Sequence, residues 1–279
     1  MLVPFECTIA DIMHLRNRGE KLEYINKLNH HTLFKHAPYD KNKESEKFYR
    51  GILLQCTEKN GIINGSNLQN INFPFDEKEY NIFISYSHND EEAAAYLYNW
   101  LTSHGLSCFL DSTIWHSADK LLAKIDERYS MTKDHAHYDY GKRNFSTSHV
   151  HAMLSMAMLE AIDRSECCIF IKSENSVPLE VGINNKTLSP WIYEENLFMD
   201  KIRRKEPSRF HHQNMRCFSD GGRFIAESAT ENLRITHDLQ CDFKPITGDE
   251  LFSLRSVTAL DKLYEKMGID KSEILGFTE

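Results

Sequence analysis

No stretch of the chain approaches the roughly 18 to 20 consecutive apolar residues of a membrane-spanning helix. The first residues, MLVPFECTIADIMHLRNRGEK, lack the basic region followed by an apolar one that marks a secretory leader, so the expected location is the cytoplasm. Glycine-rich loops of the GxGxxG or GxxxxGK[ST] kind are also missing, which argues against a conventional dinucleotide dehydrogenase or a P-loop ATPase. There is no CxxC pair. The seven cysteines, Cys7, Cys56, Cys108, Cys167, Cys168, Cys217 and Cys241, are odd in number and suit buried thiols in a reducing compartment, not a disulfide framework or a zinc site. His135-x-His137 and His149-x-His151 have chelating spacing but no cysteine or carboxylate at ligand spacing, so no metal site is expected. A net charge of −8 without a basic stripe argues against a dedicated nucleic-acid surface and leaves room only for a local one.

What is there suffices for a sizeable core: 279 residues, 41% of them hydrophobic, with no repeat or low-complexity tract. Residues 1 to 78 read as a helical N-terminal extension. Ile9, Ile12, Met13 and Leu15, then Leu22, Ile25 and Leu28, then Phe48, Ile52, Leu53 and Leu54 recur at helical spacing before a turn cluster from Gly61 to Asn72. Nothing there has catalytic spacing, and docking to a protein partner or regulation is the expected role. At Tyr80 the pattern changes. YNIFIS reads as a strand, DEEAAAYLYNWLTSHG as a helix capped by Gly105, and LSCFL as a second strand, which together make a βαβ unit with parallel strands. A helix from Ala118 to Tyr129, an inserted loop from Ser130 to Thr147 and a helix from Ser148 to Arg164 precede a third strand, CCIFIK. Further on, Met215 to Phe218, Phe224 to Glu227 and Leu233 to Leu239 are strand candidates, and Asp249 to Leu254 and Thr258 to Lys266 read as helices. The expected architecture is a doubly wound α/β sheet of about five parallel strands.

The sharpest local signal lies in SPWIYEENLFMDKIRRK. Ser189 is placed to cap a helix and Pro190 occupies its first position. Trp191, Phe198, Met199 and Ile202 fall on one side, and Glu195, four residues after Trp191, projects into that apolar stripe; Glu194 points to its edge and is expected in solvent. A carboxylate facing a core costs several kcal/mol unless it is paired, protonated or set in a cleft. In an open parallel sheet, ligands bind outside the carboxyl ends of the strands, near the reversal of strand order. Tyr86, Ser87 and His88 leave the first strand there, Asp111 to Trp115 leave the second, and the loop after the third delivers Trp191 and Glu195.

NIFISYSHND, HGLSCFLD, IDRSECCIFIKS and SPWIYEE, in that order and spacing, resemble the Toll/interleukin-1 receptor (TIR) domain, particularly its bacterial branch, over about Glu79 to Arg204. The resemblance implies a flavodoxin-like TIR domain over residues 79 to 279, with an insertion at about 130 to 147. It also implies cleavage of NAD+ at the nicotinamide ribosyl bond, with Glu195 as the catalytic carboxylate and NAD+ as substrate, no cofactor being required. By position Tyr86, Ser87, Asp111 and Trp191 would line the pocket. The loop from about Ser112 to Lys120 would close on the nucleotide, with Trp115 as its aromatic contact, although STIWHSADK departs from the family's glycine-containing pattern. Antiphage defence and self-assembly into an oligomer on activation complete the implied picture. Hydrolysis to ADP-ribose and cyclisation both stay open, as does the other class of reading, a non-catalytic scaffold for self-association or partner recruitment.

Overall fold

The computed structural model describes residues 3–18, 44–74, 79–134, 136–178, 186–202 and 235–268. In chain order its strands are β1 (Val3–Thr8), β2 (Tyr80–Ser85), β3 (Cys108–Phe109), β4 (Ser165–Lys172), β5 (Lys186–Thr187), β6 (His237–Asp238) and β7 (Lys244–Pro245). The helices are α1 (Ile9–Arg18), α2 (Glu44–Cys56), α3 (Gly65–Asn72), α4 (Glu91–Ser103), α5 (Asp111–Ile114), α6 (Ala118–Tyr129), α7 (Tyr140–Asp163), α8 (Pro190–Lys201), α9 (Gly248–Ser253) and α10 (Val257–Lys266). Five strands form one all-parallel sheet in the order β3-β2-β4-β1-β7, while β5 and β6 pair antiparallel apart from it.

Both faces of the sheet are covered, which is why its strands are apolar almost without interruption. On one face Ile82, Ile84, Cys167, Ile169 and Phe5 pack against Leu15 of α1, Leu97 and Trp100 of α4, Leu251 of α9 and Leu263 of α10. On the other, Phe83, Phe109 and Cys168 meet Met158 and Ile162 of α7 and Met199 of α8. This is a flavodoxin-like, doubly wound α/β fold.

The N-terminal segment is not the separate helical extension its sequence suggests. β1 sits between β4 and β7, with Val3 opposite Cys167 and Phe5 opposite both Ile169 and Lys244. Pro4, which cannot donate to a ladder, and the charged Glu6 disguise this strand, and six residues running straight into a helix give periodicity little to work on. Glu6 is answered by Lys172 at 3.2 Å. Thr8 then caps α1: its hydroxyl accepts from the Asp11 N–H at 3.2 Å while its own N–H donates to the Asp11 carboxylate at 2.9 Å.

Helices α2 and α3 pack on α6 and α7 around a second core of Tyr49, Leu53, Leu68, Leu121 and Val150. The expected turn cluster therefore holds a helix, capped by Asn64, whose side chain accepts from the Asn67 N–H at 3.0 Å. The expected insertion is also shorter, because α7 begins at Tyr140 and takes up residues assigned to a loop. Its outward first turns carry mixed polar and aromatic residues, which hid the periodicity. Asp126, buried at the end of α6, ties the two helices: its carboxylate accepts from Ser130 at 2.8 Å, from Arg143 at 3.1 Å and from Ser146. The strand candidates Met215 to Phe218 and Phe224 to Glu227, and the helical pattern at Leu22 to Leu28, lie outside the described residues. Of Leu233 to Leu239, His237–Asp238 is a strand, but in the small pair and not in the main sheet.

Candidate functional site

The chain leaves β2, forms β3 on one side, then returns across β2 to form β4 on the other. Strand order reverses between β2 and β4, and a crevice at their carboxyl ends is where such folds hold ligands. Ser85 is the last residue of β2, is fully buried, and points to the same sheet face as Phe83, where α7 and α8 pack. Its hydroxyl donates to Oε2 of Glu195 at 2.5 Å. Beside them, the Tyr86 hydroxyl donates to Oδ1 of Asp111 at 2.9 Å, and the same oxygen accepts from the Ser112 N–H.

Glu195 is held there by its helix. Ser189 caps α8, its hydroxyl accepting from the Ile192 N–H at 3.3 Å, and Pro190 opens the first turn. Ile192, Asn196 and Met199 are the residues that α8 buries, a stripe rotated slightly from the expected one. Asn196 Oδ1 accepts from the Gln240 and Cys241 N–H groups at 2.7 and 3.2 Å, which pins α8 to the segment before β7 and fixes its rotation. Part of Glu195 reaches the surface, but its carboxyl is turned inward onto Ser85.

Burial is the main reason that the Glu195 carboxyl is pushed up to about 8, from an ordinary 4.5. The hydrogen bond from Ser85 opposes the rise, and the charges of Asp111 and Glu194 add to it. Among the described residues no cation offsets these terms. Asp111 is also raised by burial, against hydrogen bonds from Tyr86 and Ser112 and the nearby His88. Burial raises the Tyr86 hydroxyl too, so it stays protonated and donates. Glu194 is not a solvated edge residue: it is half-buried, raised by burial, and accepts a hydrogen bond from Ser155 of α7.

The remaining expectations divide. Ser87 is half-buried at the start of a 3-10 turn and makes no capping bond with its side chain. Trp191 is partly buried and meets the His151 ring edge-on at 5.1 Å. Trp115 is half-buried and packs against the core, edge-on to Phe109 at 5.0 Å and to Phe73 at 5.7 Å. Its segment is no free lid. The His116 N–H donates to the Asn72 carbonyl at 2.9 Å, Asn72 Nδ2 donates back to the His116 carbonyl at 3.2 Å, and the His116 ring lies 4.4 Å from that of Phe48.

Sequence reasoning missed Ser85, the one polar side chain closing an apolar strand, on the face that alternation from Phe83 assigns to α8. It also missed Asp90, which accepts from Ser173 at 2.5 Å and Asn175 at 2.7 Å and so ties the turn after β2 to the loop after β4.

Two carboxyl groups and two hydroxyl donors, with no cation beside Glu195 among the described residues, make a site able to accept hydrogen bonds from sugar hydroxyls and to stabilise positive charge. Among the described residues no three His, Cys, Asp or Glu side chains are grouped to hold a metal ion, and no helix is long and apolar enough to cross a membrane. No family model, curated protein or solved structure matches the chain.

Proposed function

We propose that the chain is a TIR-like NAD+ glycohydrolase or cyclase in which Glu195 is the catalytic carboxylate. The observation that carries this reading is the Ser85–Glu195 contact at the reversal point of a flavodoxin-like sheet, where the acid has no cation among the described residues to neutralise it. A structural carboxylate in such a place is ordinarily paired, and an acid kept unpaired and inward-facing suits a positively charged ligand.

NAD+ brings that charge on its pyridinium ring. As the ribose C1′–N bond breaks, nicotinamide takes the bonding electrons and leaves neutral, and positive charge passes to the ribose ring. Ionised Glu195 beside C1′ stabilises it. The protonated acid of the empty site is driven to ionise by the cation itself, since an adjacent positive charge lowers a carboxyl's proton affinity. The Tyr86–Asp111 pair is positioned to bind sugar hydroxyls. Water attacking C1′ loses a proton and gives ADP-ribose; an adenine nitrogen of the same molecule gives a cyclic product. Action in antiphage defence and activation by assembly into a homo-oligomer belong to this proposal through the sequence resemblance alone.

Nicotinamide release from NAD+ by the purified chain, followed by chromatography across a range of protein concentrations, tests the reading. Expected are a rate rising faster than linearly with protein and its loss in Glu195→Gln. Absence of release at every concentration, with Glu195→Gln indistinguishable from the parent chain, overturns it and leaves the scaffold reading.

A further inference from the structure

Every exposed phenylalanine, tyrosine or tryptophan among the described residues lies in one short stretch: Tyr129 at 36%, Tyr138 at 47%, Tyr140 at 72% and Phe145 at 69% relative exposure. The other described aromatic side chains are buried or half-buried, so the cluster is not the ordinary scatter of surface rings. Cations are interleaved with it. The Arg128 guanidinium lies 5.3 Å from the Tyr129 ring centre and that of Arg143 lies 5.1 Å from the Tyr138 ring centre, while Lys133 and Lys142 are exposed between the rings. A bridge pairs Met131 with Tyr138, and the Asp126 network ties the end of α6 to the start of α7, next to the rings.

Arg128 joins the cluster to a cleft of about 370 Å³ between α2 and α6, where Arg50, Lys124 and Arg128 surround Leu53 and Leu54 and the one acid is Glu127. Basic residues thus continue from the cleft to the rings on a chain whose net charge is −8, although Glu127, Asp134 and Asp139 stand among them and Arg143 is paired with Asp126. The rings also lie toward the end of α7 that precedes its contact with α8, the helix that carries Glu195. His151 of α7 meets Trp191 in the first turn of α8, and at 1.5 Å per residue the backbone of Phe145 and Tyr140 lies roughly 9 to 17 Å beyond that level.

We propose that this surface binds single-stranded nucleic acid, with unpaired bases stacked on Tyr138, Tyr140 and Phe145 and phosphates met by the interleaved arginines and lysines. Exposed rings alternating with cations are what a sequence-tolerant single-strand site requires. A protein partner is the less fitting occupant, because the centres of protein interfaces are depleted in lysine, and here Lys133 and Lys142 stand among the rings. The inference does not depend on the NAD+ reading, and its test uses no enzymatic activity.

Fluorescence anisotropy of twelve-nucleotide dT and U oligonucleotides with the full chain, at about 50 and 200 mM salt, reads the binding directly. With about four phosphates neutralised, affinity should fall roughly 50-fold between the two salts. Tyr140→Ala and Phe145→Ala, both at exposed positions and checked for folding by circular dichroism, should each weaken binding by about fivefold or more. Lys133→Gln with Lys142→Gln should flatten the salt dependence. A duplex of the same length should bind more weakly, since paired bases cannot stack on the rings. No binding at about 50 mM salt with protein at about 100 μM overturns the proposal. So does equal binding of duplex, indifference to ring removal, or a change from dimer to monomer on ring removal seen by light scattering, which would make the surface an interface between copies.

Discussion

Ser85 and Glu195 come from segments 110 residues apart and meet through a 2.5 Å hydrogen bond at the carboxyl end of β2. Among the described residues that bond is the one contact lowering the proton affinity of Glu195, against burial and two neighbouring carboxylates that raise it. Ser85→Ala should therefore raise the Glu195 pKa beyond its value of about 8. On the proposed mechanism, nicotinamide release near neutral pH then falls about tenfold for each unit gained and largely recovers in alkaline buffer. Ser85→Thr, which keeps the hydroxyl, should stay close to the parent. A loss in Ser85→Ala that is equal at all pH values would mean that Ser85 acts in some other way than through this acid.

The pH profile of the parent chain carries a separate prediction. The ratio kcat/KM reports the free enzyme, so it should rise with pH and level off above about 8, where the empty site ionises. The profile of kcat reports the complex, in which the pyridinium charge favours the ionised acid, and its acid limb should lie at least one unit lower. Initial rates measured from about pH 5 to pH 9, at low and at saturating NAD+, check this. Coincident limbs would remove the charge coupling between ligand and Glu195.

Much of the fold was legible because strands covered on both faces must be mostly apolar, and YNIFIS, LSCFL and CCIFIK are. The α8 start was legible for a local reason, since Ser189 and Pro190 declare a helix N-terminus without any tertiary information. β1 was not, because Pro4 and Glu6 break its pattern and its pairing with Cys167 to Lys172 spans most of the chain. At the site, Glu195 stood out as an acid on an apolar stripe. Its partner did not, since a serine ending a strand looks like the first residue of a turn until the α8 rotation is known. Trp115 was hard to place for the converse reason: an aromatic in a loop reads as available, and its contact with Phe73 comes from a segment that looked separate.

The raised Glu195 also makes stability depend on pH. The folded chain holds its proton up to about pH 8, whereas an unfolded glutamate loses it near 4.5. The stability contributed by this group is fully present below about 4.5 and is lost as pH rises through about 8. Glutamine is neutral throughout and keeps an oxygen to accept from Ser85. Glu195→Gln should therefore match the parent in thermal melts at about pH 5 and exceed its Tm by about 5 °C or more at about pH 9. The same Tm difference at both ends would show that the carboxyl is not desolvated.

The last prediction concerns the N-terminal strand and the helix that follows it. Gly248 opens α9 beneath α1, its N–H donating to Asp11 Oδ1 at 3.0 Å, and a Cβ built there would stand 2.7 Å from the Asp11 carbonyl oxygen and 2.8 Å from the His14 ring. The obstructing oxygen belongs to backbone fixed by the Thr8 cap, so it cannot swing aside as a flexible side chain would. Gly248→Ala should cost about 1 to 3 kcal/mol in urea unfolding, whereas Gly51→Ala, with open space around its Cβ position on an exposed helix surface, should be neutral or slightly stabilising. If the first 78 residues were a detachable docking arm, removing them would leave a cooperative unit. Because β1 lies between β4 and β7 and buries Phe5 against Tyr264, a chain beginning at Glu79 should show no cooperative transition, and one that unfolds in a single sharp step would refute the placement of β1.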